Sequence, residues 1–330
     1  MSNKQKNKIL IIRLSSLGDI LLSTPVIRSL KRKFPNSQID FVVKKKFKDA
    51  LLYNPNISSV IIYEKEKAKQ LKYDLRIADY DLVIDLQNNF RSNDLTKLIK
   101  AQIRRFKKPS MKKLLLVWFK INLLKDLKTI SERYAETAGV DIDNRELELF
   151  YPQNIKAELD DGKKYIGLCP GSKHFTKRWP SEYFIELGNK LAKQGFTIVL
   201  FGGKDDKELC STISMNIDGS INLQNEDQLL QTAAEMKRCK LIISNDSGLM
   251  HTASAAGIPL ISIFGSTVRE FGFMPAGSQN LILENKLLSC RPCSHIGKSS
   301  CPKKHFKCMK EITPELVLIQ LKEGSKNYRL

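Results

Sequence analysis

Three short segments of this chain bring together side chains that could do chemistry. The first is Leu14-Ser15-Ser16-Leu17-Gly18-Asp19, a carboxylate with two hydroxyls and a glycine close by. A carboxylate so placed could take a proton from an attacking hydroxyl. The spacing also fits a helix cap, with Ser16 at the N-cap and Asp19 three residues on. An acid in the first helical turn favours the helix dipole by about 0.3–1 kcal/mol. The second segment is Ser244-Asn245-Asp246-Ser247-Gly248-Leu249-Met250-His251. Here Ser247 and Gly248 could offer backbone N–H groups to a diphosphate, and Asp246 could accept hydrogen bonds from sugar hydroxyls. An Asp cap with His251 as a half-buried helix residue fits the same spacing. The third is Pro170-Gly171-Ser172-Lys173-His174-Phe175-Thr176-Lys177-Arg178-Trp179-Pro180. Its three cations and hydroxyls suit a departing phosphate, and a solvated basic loop would read the same way. A fourth loop, Phe201-Gly202-Gly203-Lys204-Asp205-Asp206, fits a glycine turn followed by an acidic helix start.

All four segments follow an apolar run. Strands are expected at 9–13, 38–43, 58–62, 81–85, 165–169, 197–201, 241–244 and 260–264, with helical patterns between many of them, such as 19–34, 181–194 and 228–238. A helix at 314–322 ends the pattern. Continuous apolar strands separated by amphipathic helices imply parallel sheets covered on both faces. Loops at the carboxyl ends of such strands are where open α/β folds bind ligands. The pattern restarts at 163–169 after a weakly patterned stretch, 151–162. Two Rossmann-like domains are therefore expected, 1–155 and 156–330. No Gly-x-Gly-x-x-Gly follows the first strand and no Gly-x-x-x-x-Gly-Lys-Ser/Thr occurs, which argues against a dinucleotide oxidoreductase and a P-loop NTPase.

The chain has 330 residues, of which 42% are hydrophobic, so a globular protein with two real cores is expected. It carries 55 Lys and Arg against 35 Asp and Glu, and the first 150 residues hold 31 of those bases and 17 of the acids. A field of that sign attracts nucleic acid, an anionic membrane or an anionic substrate. The polar N-terminus has no secretory pattern, and with seven cysteines this predicts reduced thiols in the cytoplasm. The uncharged stretch 248–265 holds His251, Gly257 and Pro259, and reads as helix then strand, not as a membrane span.

Taken in order, Arg13-Leu-Ser-Ser-Leu-Gly-Asp19 with Pro25, Tyr80-Asp-Leu-Val-Ile-Asp-Leu-Gln87 with Arg91-Ser92, Thr176-Lys-Arg-Trp-Pro180, Ser244-Asn-Asp-Ser-Gly-Leu-Met-His251 and Phe264-Gly-Ser-Thr267 resemble the bacterial lipopolysaccharide heptosyltransferases of glycosyltransferase family 9. Lys177-Arg-Trp-Pro180 and Cys290-Arg-Pro-Cys293 look most like the heptosyltransferase II branch. The resemblance implies a GT-B fold, two Rossmann-like doubly wound domains facing a central cleft. The N-terminal one would bind the acceptor and the C-terminal one the nucleotide sugar. It implies inverting transfer of heptose from ADP-heptose to the inner core on lipid A, at the cytoplasmic face of the inner membrane. Asp19 would be the general base, and Lys177 would neutralise the leaving diphosphate. Donor contacts would come from Ser172, Thr176, Lys177, Asp246, Ser247, Gly248 and His251. Acceptor contacts would come from Ser15, Ser16, Gly18, Gln87 and Arg91. The family's ribose-contacting acid has no clear counterpart, although Glu226 and Asp227 stand near. Transfer of another nucleotide sugar is the alternative within this class. A basic nucleic-acid-binding protein is the alternative outside it, and would leave the strand-end loops unexplained.

No metal is expected to be required. Asp141-Ile142-Asp143 has Asp-x-Asp spacing but no strand end to present it, so a turn is expected. Cys290, Cys293, Cys301 and Cys308, with His295 and His305 between, have spacing that could ligate zinc; packed reduced thiols are the favoured reading. Residues 95–125 hold ten basic side chains and no acidic one around Leu114-Leu115-Leu116-Val117-Trp118-Phe119. That composition suits contact with an anionic membrane or an acidic lipid-linked acceptor, and also a core helix with a solvated basic face.

Overall fold

The computed structural model describes residues 7–124, 128–143, 146–277 and 279–323. The chain divides into two compact units. One comprises Met1–Lys108 and Lys128–Pro152; the other comprises Pro109–Leu127 and Gln153–Leu330.

The sheet of the first unit has five strands: β1 (Lys8–Ile12), β2 (Gln38–Lys44), β3 (Ser59–Tyr63), β4 (Leu82–Asp85) and β5 (Gln102–Arg105). Their order is β3-β2-β1-β4-β5 and every pairing is parallel. Ile9 to Ile12 are fully buried, as a strand covered on both faces requires. The helical pattern expected over 19–34 is two helices, Leu17–Leu21 and Thr24–Lys33. The break falls just before Pro25, whose ring removes an N–H donor and is tolerated only in a first turn. A later helix, Ile130–Ala138, rejoins this unit. Thr129 and Glu132 form a reciprocal capping box at its start, and Gly139 ends it at φ 68°, in the left-handed region that glycine favours.

The sheet of the second unit has six strands: β6 (Tyr165–Cys169), β7 (Thr197–Leu200), β8 (Ile221–Asn222), β9 (Cys239–Asn245), β10 (Leu260–Phe264) and β11 (Asn280–Glu284). Their order, β11-β10-β9-β6-β7-β8, is again parallel throughout. Counted from its own first strand, it repeats the order of the first sheet and adds a sixth strand. One face packs Trp179, Phe184, Leu187 and Val317 into a core; the other packs Phe201, Met236, Met250 and Phe264.

In each sheet the strand order reverses beside the first strand. That switch point lies between β1 and β4 in one unit and between β6 and β9 in the other. Chain leaving the two strands there diverges to opposite sides of the sheet, and the loop ends are left to enclose a ligand.

Candidate active site

Unit one places loop 14–19 after β1 and loop 86–89 after β4, on either side of its switch point. An amide side chain ties them: Gln87 Oε1 accepts from the Leu14 and Ser15 N–H groups at 2.9 and 3.2 Å. Arg13 Nη1 adds a second tie, donating to the Leu86 carbonyl at 2.8 Å.

Asp19 sits inside this frame and is almost wholly buried. Its Oδ1 pairs with Arg13 Nη2 at 2.7 Å and accepts from the Tyr134 hydroxyl at 3.2 Å. Its Oδ2 accepts from the Ser16 hydroxyl at 2.7 Å and the Ser16 N–H at 3.2 Å. Burial works against ionising this carboxyl, but the Arg13 guanidinium and the Ser16 donors outweigh it and hold it below the usual carboxylate range. Tyr134 is fixed from the helix Ile130–Ala138 by an edge-on contact with Phe106, ring centroids 4.9 Å apart. Burial first, and then the Asp19 charge, raise its phenol well above the ordinary value, so it stays a neutral donor. Lys108 donates to the Asn88 carbonyl at 2.8 Å. Burial and then the Arg13 charge push its ammonium down, while Asp85 and Asp19 pull the other way.

Of the residues expected here, Gly18 is buried, Ser15 half-buried, Ser16 exposed and Gln87 buried. Arg91 is exposed on the helix Phe90–Thr96, beside an 87% exposed Phe90. The cap is present in part: Oδ2 accepts both Ser16 donors, which leaves Oδ1 to Arg13 and Tyr134. In the sequence, Arg13 stands out only as part of a motif and Tyr134 does not stand out at all. A Tyr that lies 115 positions away from its partner leaves no local signal.

Unit two repeats the device. Asn245, at the end of β9, accepts from the Trp179 N–H at 3.0 Å and donates to the Pro170 carbonyl at 2.7 Å. This ties loop 170–180 to the switch point between β6 and β9. Ser172 Oγ donates to the Asp246 carbonyl at 3.3 Å, and Arg178 Nε donates to the Ser172 carbonyl at 2.6 Å. Lys177 Nζ pairs with Asp246 Oδ2 at 2.7 Å, and the Thr267 hydroxyl donates to the same oxygen at 2.7 Å. Thr176 Oγ1 accepts from the Lys298 N–H at 2.8 Å, which fixes the loop from its other side.

Ser247 precedes the helix Gly248–Ala255, and its Oγ is buried with no hydrogen-bond partner among the described residues. The N–H groups at this helix start point away from the helix, where an anion can accept from them. His251 is buried within the same helix. Seven of the seven expected donor residues therefore lie along loop 170–180, the end of β9 and the helix that follows. Gly171 lets the Asp206 carboxylate come close: a Cβ there would lie 2.3 Å from it, so that side chain would have to turn away. Asp206 in turn accepts from the Gly203 N–H at 3.1 Å, which makes 202–206 the expected glycine turn.

Arg291 of the Cys-Arg-Pro-Cys segment is buried and structural. It donates to the carbonyls of Gly265 at 2.5 Å and Thr267 at 2.8 Å and pairs with Glu284 at 3.0 Å, which shapes the loop that presents Thr267. Cys290, Cys293, Cys301 and Cys308 are free thiols, and burial pushes the Cys308 thiol up to about 12. Among the described residues, no three His, Cys, Asp or Glu side chains are placed to hold a metal ion. Asp143 is taken up by an ion pair with Arg28 at 2.5 Å.

Two all-parallel α/β units, each with polar groups gathered at its switch point, define the class by architecture: a protein of the GT-B fold. The chain belongs to glycosyltransferase family 9 (heptosyltransferase), whose family model matches residues 68–304. It is similar to the lipooligosaccharide heptosyltransferase 2 of Campylobacter jejuni serotype O:6, 29% identical over 96% of this chain and 99% of that one. It is also similar to the lipopolysaccharide heptosyltransferase 2 of Escherichia coli K12, 28% identical over 80% of this chain and 84% of that one. Its fold is that of the E. coli ADP-heptose LPS heptosyltransferase II structure: TM-score 0.75, 23% identity, 96% of this chain and 98% of that one.

Proposed function

We propose that this chain transfers heptose from ADP-heptose to the inner core of lipopolysaccharide, at the cytoplasmic face of the inner membrane where the lipid-linked acceptor stands. The observation that carries the reading is Asp19, a buried carboxylate held ionised at the switch point of the first unit. A carboxylate kept in its basic form can take the acceptor hydroxyl's proton as that oxygen attacks the anomeric carbon. The C–O bond to the ADP phosphate breaks in the same displacement, so the configuration inverts and no covalent intermediate forms.

The Asp19 carboxylate already accepts four hydrogen bonds, which matches its lone-pair capacity. To receive a proton it must release a donor. The Ser16 hydroxyl, on an exposed residue and free to rotate, is the donor that gives way. Arg13 and Tyr134 then keep the carboxylate in place. Ser15, Gly18, Gln87 and Arg91 belong to the acceptor side, with Gln87 acting by fixing the Leu14–Ser15 backbone.

In the second unit, Lys177 spends one of its three N–H donors on Asp246 and can turn the others to the leaving diphosphate. The Ser247 hydroxyl and the amides of the following helix start would donate to the same oxygens, with Ser172 and Thr176 shaping the loop and His251 packed beneath. Asp246 keeps Oδ1 for a sugar hydroxyl. These groups supply the leaving-group stabilisation, and the proposal assigns no step to a metal.

Purified chain given ADP-heptose and a heptose-deficient lipopolysaccharide acceptor should release ADP. No release from ADP-heptose, with release from another nucleotide sugar on the same acceptor, would reassign the donor.

A further inference from the structure

The helix Ser110–Phe119 carries apolar side chains on both of its sides. One side is seated in the second unit. Leu116 and Leu124 pack with Phe271 into a small buried cluster bordered by Val117, Val268 and Phe273. Lys113 lies 5.5 and 5.3 Å over the Phe271 and Phe273 rings. Lys120 Nζ donates to the carbonyls of Cys290 at 3.2 Å and Pro292 at 2.7 Å, and Asn122 donates to Glu270 at 3.2 Å. The helix is therefore held firmly.

Its other side has no such cover among the described residues. By the 3.6-residue repeat, Met111, Leu114 and Trp118 share the outward side, with Lys112 at its margin beside Phe119. Met111 is 70% exposed, Trp118 75% and Phe119 69%, and Ile121 and Leu123 continue the exposed surface. Large apolar side chains grouped this way on the surface of a globular protein mark an interaction site. Residues 95–124 contain nine Lys and Arg and no Asp or Glu, so the patch lies in a basic stretch of a chain of net charge +20.

We propose that this helix face is a docking surface for an anionic lipid bilayer. Trp118, Phe119 and Met111 enter the boundary between headgroups and acyl chains, while Lys112 meets lipid phosphates. Apolar insertion and cationic attraction are the two signals that together hold a peripheral protein on a membrane. A second copy of a chain this basic would bring like charge to the same patch, which disfavours self-association as its use. The inference deepens the reading above and rests on it only for the lipid-linked acceptor. Docking would bring the enzyme to the surface in which that acceptor is embedded.

The test uses the full chain and vesicles of phosphatidylglycerol with phosphatidylcholine, against vesicles of phosphatidylcholine alone. The chain has two tryptophans and Trp179 is buried, so a change in emission reports Trp118. The chain should float with the anionic vesicles and its emission should shift to the blue. The double variant Trp118→Ser, Phe119→Ser, both exposed positions, should bind at least about tenfold more weakly, and Lys112→Glu should weaken binding to anionic vesicles. With a lipid-free acceptor oligosaccharide the double variant should release ADP as the parent does. Undiminished flotation of the double variant, an unshifted emission, or equal binding to neutral vesicles would overturn the proposal. So would a concentration-dependent dimer abolished by the double variant, which would give the surface to a second copy. Flotation needs no sugar substrate: a chain that floats but ignores ADP-heptose defeats the donor assignment alone, and an active chain that does not float defeats the docking surface alone.

Discussion

Asp19, the base proposed for the transfer, is held firmly in its charged form. Four donors converge on it, so its charge is well compensated although it is nearly inaccessible to water. Its carboxyl titrates lower in the folded chain than in the unfolded one. Its pairing therefore stabilises the fold above the ordinary carboxylate range, and that contribution is lost as the pH falls through the lowered value. The rate should likewise be insensitive to this group through neutrality and decline only on the acid side. Ser16→Ala removes one of the donors that lower the carboxyl, so the acid limb of kcat should move to higher pH, while Arg13 keeps the residue in place. A pH profile of the variant that overlies the parent's would show that Asp19 does not govern that limb. Lys177 and Asp246 form the matching pair in the other unit, a cation and an anion 2.7 Å apart.

At the scale of elements, the two switch points share a solution. An amide side chain at the end of the central returning strand, Gln87 after β4 and Asn245 in β9, satisfies the backbone of the loop that follows the first strand. Loops bearing functional groups need such ties, because a backbone left unpaired there would be free to wander. The strands beneath must pack tightly. Gly167 in β6 has no room for a methyl group: a Cβ would lie 2.4 Å from Ile242 and 2.7 Å from the Phe201 ring, both fully buried. Gly167→Ala should cost about 1–3 kcal/mol of stability from overpacking, read as a lowered thermal midpoint. An unchanged midpoint would mean the core around β6 is looser than described. The central strands were legible because their apolar runs are continuous: β6 and β10 begin and end where the sequence reading put them. Of the edge strands, β3 was expected at 58–62, but β5, β8 and β11 were not. Gln102–Arg105 carries two arginines and is half exposed, and Asn280–Glu284 is mostly half-buried, so neither shows the apolar signal of a covered strand. The split of the expected 19–34 helix was signalled by Pro25, which the reading placed inside the helix.

For the molecule as a whole, two copies of one parallel architecture divide the labour proposed for them: a proton acceptor in one unit, nucleotide-sugar groups in the other. The repeat of architecture was legible in the restart of strand-helix alternation near residue 163. The grouping of Pro109–Leu127 with the second unit was not, because it depends on contacts of Leu116, Lys113 and Lys120 with residues 150 or more positions away. The excess of positive charge gives the chain a long-range attraction for anionic partners that no single residue supplies. The central claim is that Asp19 accepts the proton in sugar transfer, and it is tested most directly by ADP release from ADP-heptose in Asp19→Asn beside the parent, with ADP binding measured on both. The account predicts a folded variant that binds ADP as the parent does and turns over about 10²–10⁴-fold more slowly. Turnover within a few-fold of the parent would contradict it and leave Asp19 with its cap alone.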